Sequence, residues 1–137
     1  MKEKILVIED EKGIRENLKE ILALKDYLVY TATNAKEGIT EATVKKPDMI
    51  ICETNVPEID GFEVLQFVRQ NRNLSNVPFI FLTAFTQRAH VIRRMELGAD
   101  DYITKPFTTK ELVRAIENCF RKQKQLQRKI KEKYNDI

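Results

Sequence analysis

Five short apolar runs, each followed by an amphipathic segment, set the strongest limit on how this chain can fold. The runs are KILVI (4–8), YLVYTA (27–32), DMIIC (48–52), FIFLT (79–83) and DYIT (101–104). All are too short for buried helices and have the length of strands. Between them, KGIRENLKEILAL (12–24) places Ile14, Leu18, Ile21 and Leu22 on one helical face. NAKEGITEATVKK (34–46) predicts a helix with Asn34 as N-cap, ended by Pro47. FEVLQFVRQ (62–70) turns Val64, Leu65 and Val68 inward, and QRAHVIRRMELG (87–98) predicts a helix stopped at Gly98. From Thr109 the pattern is helical to near the end. Strands alternating with helices require a parallel sheet covered on both faces, and right-handed crossovers make it a doubly wound α/β domain.

A chain of 137 residues suits one such core. Its longest apolar runs are far too short to span a bilayer, and no apolar segment follows the first charges as a signal peptide would require. Cys52 and Cys119 form no CxxC pair; they read as small core residues in a reducing cytoplasm.

In folds of this class, ligands bind outside the carboxyl ends of the strands. The residues expected there are Glu9, Asp10 and Glu11 after the first run, and Glu53, Thr54 and Asn55 after the third. Thr83 closes the fourth, and Thr104 and Lys105 the fifth. Clustered carboxylates suit a hard cation such as Mg²⁺, which takes one or two of them and keeps its waters. A hydroxyl and an ammonium opposite that cation make a cradle for a phosphoryl group. Lys105 precedes Pro106, which makes that bond a candidate for the cis form.

The segments ILVIEDE (5–11), PDMIICETNVPEIDGFEVL (47–65), FIFLTA (79–84) and GADDYITKPF (98–107) carry a further reading. In this order and spacing, over about residues 3–122, the chain resembles the receiver domain of bacterial two-component response regulators. The resemblance implies a flavodoxin-like (βα)5 domain with a parallel sheet in the order 2-1-3-4-5. It also implies a Mg²⁺-dependent transfer of a phosphoryl group from a sensor histidine kinase or phosphotransfer protein onto an aspartate. Carried onto this sequence, Glu9 and Asp10 are the acidic metal pair, and Asn55 offers the metal its backbone carbonyl. Thr83 and Lys105 bind phosphoryl oxygens. Thr83 and Tyr102 are the switch pair, and output passes through the face of helix four, strand five and helix five.

The departure is at position 53. In receivers the phospho-acceptor lies four residues before the loop proline, and Pro57 puts that place at Glu53. Asp48 cannot substitute, because five strand residues at about 3.3 Å each hold it roughly 16 Å away; Asp60 belongs to the turn beyond. Glutamate carries the same nucleophile on a stem longer by about 1.5 Å, and a 1 Å misplacement costs on the order of a hundredfold in rate. The same extension brings a fixed negative charge toward Thr83 and Lys105. Its −1 imitates only partly the roughly −1.5 to −2 of a phosphoryl group. Three outcomes stay open: a phosphomimetic domain, a degenerate receiver signalling by contacts alone, or a glutamate that is still phosphorylated. Glu53 would remain near the metal in each case.

Two other function classes fit less well. A Mg²⁺-dependent phosphatase or nucleotide-binding enzyme would want a glycine-rich loop, but Gly13, Gly38, Gly61 and Gly98 are scattered. The only histidine, His90, lies in a helical pattern, and the only serine, Ser75, in a loop before the fourth run. Direct nucleic-acid binding is suggested only by charge. Residues 121–137 hold seven basic and two acidic groups, whereas the remainder of the chain is mildly acidic. That tail has no helix-turn-helix pattern, and Tyr134 is its one aromatic. We therefore divide the chain into a receiver body (1–122) and a basic helical extension (123–137) toward an output domain. Ile116, Cys119, Gln123, Leu126, Ile130, Lys133 and Ile137 recur at spacings of three and four, the seam of a parallel coiled-coil homodimer.

Overall fold

The computed structural model describes residues 1–56 and 59–135. Pro57, which anchors the assignment of position 53, and Ile137, the last seam position, lie outside the described residues. Five strands are present: β1 (Lys4–Ile8), β2 (Leu28–Ala32), β3 (Met49–Glu53), β4 (Phe79–Ala84) and β5 (Asp101–Lys105). They alternate with α1 (Lys12–Leu24), α2 (Ala35–Lys45), α3 (Gly61–Gln70), α4 (Arg88–Arg94) and α5 (Thr109–Asn135). All strand pairs are parallel, in the order β2-β1-β3-β4-β5. This is the flavodoxin-like doubly wound arrangement.

The three central strands are buried along nearly their whole length, so successive side chains feed two cores. Leu6, Ile8, Ile50, Cys52, Phe79 and Phe81 pack with Ala35, Ala42, Val64, Leu65, Val68 and Val91 from α2, α3 and α4. Ile5, Val7, Met49, Ile51, Ile80 and Leu82 pack with Leu18 and Leu22 of α1 and with Leu112, Ile116 and Phe120 of α5. Each fully buried Leu, Ile or Phe contributes about 1.5–3 kcal/mol of transfer free energy. Ile14 and Ile21 sit at the rim of the second core. Both cysteines are free and buried.

Caps fix where the helices begin and end. Asn34 Oδ1 accepts from the Glu37 N–H at 2.8 Å and opens α2. Asp60 Oδ1 does the same for α3, accepting from Glu63 N–H at 3.0 Å. Gly98 takes φ 112°, a left-handed turn that releases the chain into β5.

The expected helix over 87–98 is shorter than its pattern. It divides into a 3₁₀ turn at Phe85–Gln87, α4 proper, and a second 3₁₀ turn at Met95–Leu97. Val91 is its only fully buried anchor, so little packing holds the ends in α geometry. The third strand is shifted one residue from 48–52, and Glu53 is its last member, paired in register with Leu82. The final helix runs 27 residues without a break.

Candidate functional site

Sheet register alone gathers the expected residues on one edge. Ile8 pairs with Cys52, Glu53 with Leu82, Thr83 with Thr104, and Ala84 with Lys105. The next residues out along each strand therefore meet at the carboxyl ends of β1, β3, β4 and β5. Glu9 and Thr83 are fully buried there, and Thr54 is nearly so. Glu53 is 4% exposed. Asp10 and Asn55 face solvent, and Lys105 and Tyr102 are half-buried.

Lys105 ties the two buried acids together. Its Nζ donates to Glu9 Oε1 at 3.1 Å and lies 2.5 Å from Glu53 Oε2. The second contact is a short ion pair. The other Glu53 oxygen, Oε1, accepts from the Asn55 backbone N–H and from Thr54 Oγ1, both at 3.3 Å. Glu9 Oε2 is buried with no donor among the described residues.

One lysine thus faces two buried carboxylates. Burial pushes the Glu9 carboxyl up to about 7; Lys105 opposes the shift, and Glu53 and Asp10 reinforce it. Burial pulls the Lys105 ammonium down, but Glu53 and Glu9 outweigh it and the net direction is up. The edge holds an excess of negative charge that a proton or a cation relieves.

Two features bring the loops close enough. Gly61 begins α3 against the end of β3; a Cβ there would stand 2.6 Å from the Glu53 carbonyl oxygen, so only glycine fits without movement. Its N–H donates to the Thr54 carbonyl at 2.9 Å. Lys105–Pro106 is cis, at the point where β5 leaves the edge.

The sequence-derived set is brought together with differences. Lys105 meets the Glu53 carboxylate directly, but the Thr83 hydroxyl bonds instead to Thr54 Oγ1, at 3.4 Å. Tyr102 packs at the margin of the core formed with α2, α3 and α4. Two contributors have roles that the sequence does not signal. Thr54 follows Glu53 unremarkably, and its partner Thr83 is 29 residues away. Arg15, in the first turn of α1, donates to the carbonyls of Glu9 (2.9 Å) and Asp10 (3.2 Å) and holds the acidic loop in shape. Glu11, at the N-cap of that helix, makes no side-chain cap bond.

Comparison with known proteins agrees with this geometry. The family model described as "Response regulator receiver domain" matches residues 5–117. A probable transcriptional regulator, ycf27, of Guillardia theta is 40% identical over 121 residues, 88% of this chain and 46% of the relative. The alkaline phosphatase synthesis transcriptional regulatory protein PhoP of Bacillus subtilis is 36% identical over 122 residues, 89% of this chain and 50% of the relative. This chain spans about half the length of these curated relatives. Among solved structures, a response regulator receiver domain protein from Clostridium thermocellum superposes with a TM-score of 0.84 at 31% identity, over 90% of this chain and 98% of that one. The strand order, the acidic edge and these matches agree: the chain belongs to the receiver domain family of two-component response regulators.

Proposed function

We propose that this receiver works with Glu53 as a built-in carboxylate, standing where its family takes a phosphoryl group on aspartate. The observation that carries this reading is that both Glu53 oxygens are already engaged, Oε2 by Lys105 and Oε1 by Thr54 and Asn55. A nucleophile held against the lysine is poorly placed for in-line attack, and phosphoryl transfer depends almost wholly on placement. The single charge biases the domain toward its signalling arrangement without reproducing the full phosphoryl charge.

Mg²⁺ suits the acidic edge. Glu9 Oε2 has no donor among the described residues, Asp10 stands exposed beside it, and one ammonium faces two buried acids. Among the described residues no three His, Cys, Asp or Glu side chains form a closed cage. This ion does not require one. Glu9, Asp10 and the Asn55 carbonyl would hold it, with Glu53 alongside. When bound, it supplies positive charge to phosphoryl oxygens.

On this reading the upstream partner is a sensor histidine kinase or phosphotransfer protein, and the downstream partner an output domain or protein reached through α4, β5 and α5. The setting is the cytoplasm; no helix among the described residues is long and apolar enough to cross a membrane. The extension of α5 pairs with a second copy through Leu126 and Ile130, which stand exposed on the helix.

Labelling with acetyl phosphate and Mg²⁺, and binding of beryllofluoride, test the central claim. Both are expected for Glu53→Asp and not for the unsubstituted chain. Equal labelling of the two would overturn it.

A further inference from the structure

One face of α5 carries its charge in a line. Lys110, Arg114, Arg121, Lys124, Arg128 and Lys131 recur at alternating spacings of four and three once Glu117 is counted between Arg114 and Arg121. Residues so spaced are neighbours on one helical face. At 1.5 Å per residue the line is roughly 32 Å long. All of these side chains are exposed. Among the described residues none of the six cations pairs with an acid, and Arg121 reaches the neutral side-chain oxygen of Asn118. Lys25, the C-cap of α1, flanks the first half of the line. Cation stands against cation at 110–114, 121–124, 124–128 and 128–131, an arrangement that disfavours an isolated helix. A complementary charge laid along the line would relieve it.

Two further features narrow what that complement is. A hollow of about 410 Å³ opens beside the middle of the line, lined by Arg121, Lys124 and Arg128 and by Tyr27 and Phe120, whose rings stack at 6.0 Å between centroids. It offers an apolar side chain a seat among the charges. Glu117 interrupts the cations at the same level, and Glu3 lines the hollow. Nucleic acid or an anionic membrane presents only negative charge, which both glutamates oppose. A protein helix can meet the cations with acids and Glu117 with a single base. Spacings of four and three drift by about 20° per heptad around a straight helix, and a second helix crossing at about 20° follows that drift.

We propose that this face of α5 docks an acidic amphipathic helix of a partner protein, with one apolar side chain seated on Tyr27 and Phe120 and Glu117 setting the register. The surface lies away from the acidic edge. Two residues at about 100° each also put Arg128 on the far side of the rod from Leu126 and Ile130, so a second copy and the partner helix do not compete.

The test is fluorescence anisotropy of the full chain with a synthetic three-heptad peptide. The peptide carries Glu at the positions facing the cations, Lys facing Glu117 and one Leu for the hollow. The unsubstituted chain is expected to bind it, and raising salt from about 50 to about 300 mM should weaken binding on the order of tenfold, because the contacts are exposed charges. Arg121→Glu with Arg128→Glu should weaken it on the order of a hundredfold. Glu117→Lys should weaken the same peptide, and exchanging the peptide's Lys for Glu should restore binding to that variant. All three positions are exposed, so circular dichroism should show an unchanged fold. No binding, indifference to the double reversal, or failure of the exchanged peptide to recover Glu117→Lys would overturn the proposal. Tighter binding of a single-stranded oligonucleotide of equal charge, or of phosphatidylserine vesicles, would also overturn it in favour of a uniform polyanion.

Discussion

The two ends of the sheet each hold a partly buried ion pair, and they are built on opposite principles. At the amino edge, Arg69 donates to the Gly98 carbonyl through Nε and Nη2, and to the Ser75 and Val77 carbonyls through Nη1. It also donates to Asp100 Oδ2, which accepts from the Phe79 N–H as well. One cation meets one anion there, and the guanidinium fork is matched to fixed acceptors. At the carboxyl edge, one ammonium is divided between two buried acids, and Glu9 Oε2 has no donor among the described residues. The first network closes the fold: it pins the turn at Gly98 to the start of β4. The second is left unbalanced, an excess of negative charge at a buried edge.

Removing the closed network is expected to have the largest effect. Arg69→Ala should lower stability by about 2–4 kcal/mol in chemical denaturation, because it leaves several part-buried carbonyls without a donor. Arg69→Lys should recover only part, since an ammonium cannot span the same fork. Neither should alter the response to Mg²⁺. A smaller effect, of the opposite character, is expected at the other edge. The folded Glu9 carboxyl sits near 7, above its ordinary 4.5, so the folded state holds that proton more tightly than the unfolded chain. Its contribution is fully present below about 4.5 and is lost as pH rises through about 7. Without metal, stability should fall by about 2–3 kcal/mol between pH 5 and 8.5. Glu9→Gln should flatten that profile, and Mg²⁺ at pH 8.5 should restore stability to the unsubstituted chain. A flat profile without metal would show that the edge is as well compensated as the Arg69 network. The smallest effect on folding belongs to neither edge. Leu126→Glu or Ile130→Glu should change stability by less than about 0.5 kcal/mol, since both side chains are half exposed. Either should convert a concentration-dependent dimer to a monomer in sedimentation. A chain that is monomeric at high concentration before substitution would remove the stalk pairing.

Much of this was readable from local pattern. The strand runs, the caps at Asn34 and Gly98 and the inward faces of the first and third helices follow from periodicity and turn chemistry, which act over a few residues. The residues at the strand ends were legible because a parallel sheet brings every carboxyl end to one edge. What the sequence did not disclose depends on distance in space. Arg69 looks like a surface residue at the end of a helix until the Gly98 turn folds over it, 29 positions later. Thr54 gains its partner only through the pairing of β3 with β4. The apolar spacing around α4 is helical over a longer stretch than the helix itself, because only Val91 finds a core to enter. The sequence places Glu53 at the end of the third strand, but the engagement of its two oxygens by different donors is visible only in side-chain positions.

The long final helix has a mechanical consequence. Leu112, Ile116, Cys119 and Phe120 fix its first half to the sheet. Gln123 is the last tether, through the Asn76 carbonyl at 3.1 Å. Nine residues of described helix follow Leu126, and the rod from Gln123 to Asn135 is roughly 18 Å long at 1.5 Å per residue. A helix is stiff along its axis, so a tilt of about 10° at the tether would swing the tip by about 3 Å, and a rotation about the axis would be carried to the tip undiminished. Small repacking beneath Phe120 thus becomes, by leverage, a displacement as large as a side chain at Asn135.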